Sequence, residues 1–359
     1  MANKDNQPCC EQFKTMIGGQ ALIEGIMMRG PKKDAIVIRG KEGLTVEVSD
    51  RKLNPEKSLK NKPFFRGMFN FFDAQVTGVK ALMRSADLAP EEYAEEPSKF
   101  DKWLEEKLGN EKFQQAVIGI AVAMGLGLSI LLFFLLPMVV SSFFDKWIDS
   151  TLTLNLFEGI VRMCIFMGYM LLVSRMEEMK RVFAYHGAEH KTIRCYEAGL
   201  PLTVENVRVQ TRLHPRCGTS FLVLTFVMSI LFFSVIDVLV KAVTGFDLGS
   251  NYFLRIASRI VLLPCIMGIG YEMLKLLAHK EGKWVDILRW PGMQMQRLTT
   301  KKPSDDQCEV AIISMNAALH GLPDGEVTVE GWVVLHQADI DRLIYGKETE
   351  EEKEEEEQA

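Results

Sequence analysis

Four apolar runs, at residues 115–144, 156–174, 219–240 and 254–278, constrain this chain more than any other feature. About 20 such residues wound as a helix cross a hydrocarbon core of roughly 30 Å. Inside lipid the backbone has no water to bond, so a spanning run satisfies its own hydrogen bonds as a helix. The expected fold class is mainly α: a polytopic membrane protein with about four transmembrane helices, plus cytoplasmic segments that include a small N-terminal β-hairpin. Paired hairpins that do not fully cross, or buried helices of a soluble core, are the alternatives. Averages conceal this pattern, because 48% apolar content over 359 residues would also suit a large soluble protein.

Basic residues set the expected orientation. The loop between the second and third runs carries Arg175, Lys180, Arg181, Lys191, Arg194, Arg208, Arg212 and Arg216, and Lys280, Lys283, Arg289 and Arg297 follow the fourth run. By contrast, Lys146 is set against Asp145 and Asp149, and 242–253 has no basic residue. Both termini are therefore expected in the cytoplasm and the chain in the cytoplasmic membrane, with the lipid bilayer as its first partner. Asp237 and Arg255 or Arg259 read as a structural ion pair near the outer helix ends. The net charge of −5 owes much to Glu348–Glu357, a self-repelling run expected to be disordered. Nothing indicates a nucleic-acid partner. Residues 1–14 are polar, lack the apolar core of a signal peptide, and hold Cys9-Cys10, read as a free pair. The seven scattered cysteines argue against a disulfide framework.

The expected organisation is a flexible 1–14, a cytoplasmic 15–86, a linker at 87–114, a membrane domain at 115–278 enclosing a cytoplasmic loop at 175–218, a C-terminal region at 279–346, and an acidic tail at 347–359. Within 15–86, Gly18 to Pro31 reads as a Gly-rich loop packed against a site, with Gln20, Glu24 and Arg29 able to line it. Ala35–Arg39 and Leu44–Val48 flank Gly40–Gly43 as a hairpin. Apolar residues at 65, 68, 69, 72, 76, 79 and 83 have helical period, suiting a helix in the membrane interface or against the bundle. A helix is expected from Asp306 to Leu319, and a short strand at 327–335.

Chemistry concentrates in the 175–218 loop. The stretch from Arg181 to Ala198 has one Gly, no Pro, and a Gly199-Leu200-Pro201 stop, so it reads as a helix. His186 and His190 then lie one turn apart on one face, at a spacing that fits a single metal ion. Glu189 borders that face as the proposed general base. His214 and Cys217 supply a second ligand pair, and a helix start at Gly218 favours the Cys217 thiolate. Four ligands would close the site as a structural centre, whereas three would leave a position for water and hydrolysis. The divalent transition metal most suited to these ligands is zinc. Glu197, Glu205 and Glu272 are further candidate bases, and Glu272 is costly in a membrane helix unless partnered.

Gly18–Pro31, Arg66-Gly67, Tyr185–Glu197, Leu202–Val207, His214–Phe221, Tyr271-Glu272 and Pro291–Thr300 together resemble the YqhQ-like bacterial membrane proteins, a domain of unknown function described as metal-dependent enzymes. The resemblance runs from about residue 16 to 318 and implies a metal but no named reaction. The expectation is a metal-dependent membrane hydrolase acting on a membrane-associated substrate, catalysed through Glu189 and Glu272. A membrane scaffold or assembly factor with a structural metal, bound to a protein partner, is the alternative. A transporter, marked by Glu272, Asp237 and Arg259, is the third reading.

Overall fold

The computed structural model describes residues 17–41, 43–51, 58–88, 110–144, 146–148, 150–245, 252–323, 326–327 and 332–346. Cys9-Cys10, most of the 87–114 linker and the acidic tail lie outside the described residues. The chain divides into two compact units, Met1–Pro90 with Ser174–Val223 and Tyr271–Ala359, and Glu91–Val173 with Leu224–Gly270.

In the first unit, four consecutive strands form an antiparallel meander: β1 (Gly18–Leu22), β2 (Gly25–Arg29), β3 (Lys33–Arg39) and β4 (Leu44–Asp50). The hairpin expected at 35–48 is β3–β4, with Val37 opposite Val46. The expected Gly-rich loop is instead a second hairpin, because Gly25 lets β2 pass close to the Val37 carbonyl, where a Cβ would sit 2.5 Å away. The expected strand at 327–335 is replaced by β5 (Glu326–Val327) and β6 (Val333–Leu335), with 328–331 outside the described residues. Strand β6 pairs with β4 and completes the order β1-β2-β3-β4-β6-β5.

Period-two alternation gives the sheet two apolar faces. On one, Leu22, Met27 and Ile36 pack against Ala81 of helix α1 (Phe65–Leu88). On the other, Ile26, Met28, Ala35, Val37, Leu44 and Val46 join the main core. That core is capped by two helices, numbered here in chain order as α5 (Glu177–Glu197) and α10 (Asp305–His320). Helix α10 begins with a capping box in which Ser304 and Gln307 exchange side-chain bonds with each other's backbone. It is buried nearly all round, from Gln307 to Ala318 except Asn316.

The apolar runs form four helices long and apolar enough to cross a membrane: Gly119–Ser142, Leu152–Val173, Gly218–Thr244 and Ile256–Leu277. The first comprises α2 (Asn110–Ile130), a π-helical turn at Leu131–Leu135, and α3 (Leu136–Ser142). The others belong to α4 (Thr151–Val173), α7 (Gly218–Thr244) and α8 (Tyr252–His279). Gly159 lets α4 approach α7, since a Cβ there would meet Ile230 at 2.5 Å. Asp237 accepts two hydrogen bonds from Arg259, at 2.8 and 2.6 Å, and one from Asn155 at 3.0 Å. The side chain of Arg255 lies outside the described residues. A second pair, Glu158 and Arg162 at 2.6 Å, was hidden within an apolar run. Arg162 also donates to the Phe133 carbonyl in the π-helical turn, at 2.7 Å.

Candidate metal centre

Helix α5 offers both imidazoles from one face, and the chain around it fixes how each ring is turned. His186 Nδ1 lies 2.8 Å from the Thr299 carbonyl and His190 Nδ1 2.5 Å from the Arg212 carbonyl. A carbonyl only accepts, so each Nδ1 carries the proton and each Nε2 presents the opposite edge. That edge meets Cys217: one ligand atom from each of His186, His190 and Cys217 lies within 4.8 Å of the other two. His186 Nε2 is 3.2 Å from the sulfur, while His190 Nε2, buried, has no hydrogen-bond partner.

Small residues permit this convergence. Gly187 lies under the 299–301 segment that supplies the Thr299 carbonyl, and a Cβ there would meet the Lys301 carbonyl at 2.1 Å. That segment ends α9 (Lys283–Thr299), whose Gln296 clamps the loop carrying the second ligand pair. Gln296 accepts from the His214 N–H and donates to its carbonyl and to Ser220, each at 2.7 Å. Gly292 of α9 lies against Ser220, 2.9 Å from where its Cβ would be.

Electrostatics favour a thiolate. Burial opposes ionising Cys217, but His186 and His190 outweigh it and hold its pKa well below the usual thiol range. Burial likewise opposes charging His186, yet the Cys217 thiolate, its hydrogen bond and Glu189 raise that imidazole to about 9. The two neighbouring imidazoles thus favour the thiolate at Cys217, the form in which sulfur ligates a metal.

Glu189 is buried beside the trio, with one carboxylate oxygen lacking a partner. Burial raises its pKa, against the pull of His190 and His186 and a hydrogen bond from the Gly19 N–H. A Cβ on Gly19 would lie 2.8 Å from the Met27 carbonyl and 2.9 Å from the Glu189 carboxyl carbon, so the position is held to glycine.

The remaining expected site residues lie outside the close trio and make other contacts. The Nε2 of His214 lies 3.2 Å from the Arg216 guanidinium and 3.6 Å from Glu197, and burial holds its pKa down. Its ring centroid lies 5.6 Å from that of His190, and His214 is not part of the close trio. Glu197 pairs with Arg216. Glu272 accepts from Arg66 and from the Phe64 N–H. Gln20 donates to the Gly78 carbonyl at 3.4 Å, Glu24 binds Arg181 and Tyr185, and Arg29 binds Asp34 and Asp73. The contacts of these three tie β1 and β2 to α1, α5 and β3. Glu205 lies in the short helix α6 (Val204–Arg208). Sequence reasoning missed Gln296 and the carbonyls of Thr299 and Arg212.

This arrangement of helix, loop and N-terminal hairpin can be set beside known proteins. A family model described as "Protein of unknown function (DUF1385)" matches residues 62–321. The chain belongs to this family. It is similar to "Uncharacterized protein YqhQ" of Bacillus subtilis (strain 168), with 33% identity over 307 residues, covering 84% of this chain and 92% of that protein. No solved structure matches. The family match contains α5, Cys217 and the α9 segment, so all three clustered ligands and both carbonyls that orient the rings fall inside it.

Proposed function

We propose that the chain is a metal-dependent membrane hydrolase whose zinc-class ion is held by His186, His190 and Cys217. The supporting observation is the orphaned Nε2 of His190, buried among groups that all have ligand chemistry. A buried polar atom without a partner is costly, and a ligand that accepts its lone pair removes that cost. Both rings also show the outer-shell pattern of metal-binding histidines, with the far nitrogen donating to a carbonyl.

Three protein ligands of this kind leave a position for water or substrate, as in catalytic rather than structural zinc sites. When bound, the ion supplies a Lewis acid that polarises a carbonyl or phosphoryl oxygen and acidifies water. Glu189 is the general base: its partnerless oxygen takes the proton, and burial raises its pKa and so its basicity. The Gly19 N–H holds the carboxylate in place during that transfer. Basic residues flanking the spans support placing this site, and both termini, on the cytoplasmic side. The substrate class is membrane-associated.

Metal analysis of the purified full chain tests the reading. Wild type is expected to hold about one zinc-class ion per chain, following a three-ligand site, and His190→Ala none. Wild type without metal under replete conditions overturns it. A scaffold with a structural metal is the second reading, favoured if Glu189→Gln keeps both metal and cellular function.

A further inference from the structure

Helix α1 has two unlike faces. Gly67, Gly78, Ala81 and Ser85 are buried, and the last three lie on the side that packs against the sheet. On the opposite side Phe65, Phe69, Phe72, Val76, Val79 and Met83 are all exposed, Phe72 by 54% and Val76 by 57%. At 3.6 residues per turn these six fall within a stripe about 80° wide from Phe65 to Met83. A soluble surface rarely carries so long an apolar stripe.

The start of this helix is pinned to the last membrane-spanning helix. Arg66 pairs with Glu272, and Asn70 donates to the Tyr271 hydroxyl at 3.2 Å. Both acceptors lie near the end of the span Ile256–Leu277. Helix α9 is pinned to the same end, because Arg289 donates to the carbonyls of Leu277 and Lys280. It too exposes large apolar side chains: Trp284, Ile287, Leu288 and Trp290. Tryptophan beside basic residues, here Lys280 and Lys283, is the composition of a membrane–water boundary.

We infer that α1 and α9 lie in the plane of the bilayer, their exposed apolar side chains sunk into the headgroup–acyl boundary around the end of the last span. The occupant of the stripe is lipid, because the helix that anchors it leaves the hydrocarbon at that point. None of the anchoring contacts involves His186, His190 or Cys217.

Trp fluorescence of the full chain in phosphatidylglycerol–phosphatidylcholine vesicles with brominated acyl chains tests the assignment. Val76→Trp and Phe72→Trp place reporters on the stripe, and Ala74→Trp places one at an exposed position on the opposite side. Relative to wild type, the added emission of the two stripe reporters is expected to be blue-shifted and quenched several-fold more by the brominated lipid than that of Ala74→Trp. Trp284→Phe is expected to reduce the lipid-quenched emission. Stripe reporters quenched by aqueous iodide but not by bromine would show a solvent face and overturn the inference. Stripe reporters shielded from both quenchers would show a protein contact, such as a second copy, and overturn it equally. An unchanged lipid-quenched fraction in Trp284→Phe overturns the placement of α9.

Discussion

Around Asp237, each carboxylate oxygen receives a donor: Arg259 reaches both, and Asn155 adds a third bond. Around His190, a few polar atoms are equally buried, but the Nε2 of His190 and one oxygen of Glu189 receive none. Both clusters are made of groups that are expensive to bury. The first offsets that expense internally, and its side chains hold helices together. The second leaves two buried polar atoms without a partner, the opening that the proposed metal would fill. Satisfaction, more than burial or residue type, separates a structural polar cluster from a candidate binding site.

The strongest way to break the comparison is to remove a ligand. His186→Ala or Cys217→Ser should reduce bound metal to background, read by elemental analysis, whereas Asp237→Asn should leave metal content unchanged. Equal metal loss from both clusters would erase the distinction. Next in size, Glu189→Gln should lower turnover, or complementation of a deletion strain, by about 10²–10⁴-fold while metal is retained, the range of a lost general base.

The membrane cluster should respond in stability. Arg259→Ala strands a buried carboxylate and should cost about 3–5 kcal/mol, whereas replacing Arg259 and Asp237 together should cost less. Thermal unfolding in detergent compares the two, and a double variant worse than the single would contradict a satisfied pair. A smaller effect is expected from Gln296→Ala, which leaves the His214 N–H and carbonyl unpartnered. It should weaken metal affinity by about 10–100-fold, as loss of outer-shell support does, measured by competition with a chelating dye.

The smallest signal comes from thiols in neither cluster. Burial pushes Cys195 and Cys308 up to about 11 each. Their protonated forms therefore contribute stability that is fully present below the unfolded thiol pKa of about 8.5 and is lost as pH rises through about 11. Both should resist iodoacetamide at pH 8 in the folded chain and react after unfolding, as mass spectrometry would show. Ready labelling of either in the folded state would remove burial as the cause.

The four spans were legible because lipid imposes one requirement, about 20 apolar residues, on every crossing helix. The His186–His190 pair was legible for a similar reason, since helix period alone sets two side chains on one face. Glu158 and Arg162 were lost inside an apolar run, although their spacing of four marks a helical pair. The β1–β2 hairpin was hidden by its glycines, which weaken strand propensity but here permit close contact with β3 and Glu189. Strands β5 and β6 are too short to show alternation. The turn of the His186 and His190 rings depends on carbonyl oxygens, which no side-chain pattern encodes. His214 carries the right chemistry for a ligand, but its contacts with Arg216 and Glu197 depend on how the loop folds back, which residue spacing does not encode.

The pairing of β4 with β6 also has a consequence for how the chain is made. Leu44 waits for Leu335, and the buried α10 follows all four spans in the order of synthesis. The N-terminal meander therefore leaves the ribosome long before its core helix exists, with one apolar face uncovered. Every span is synthesised before that core can close, so a chain stopped short of β6 has no finished sheet.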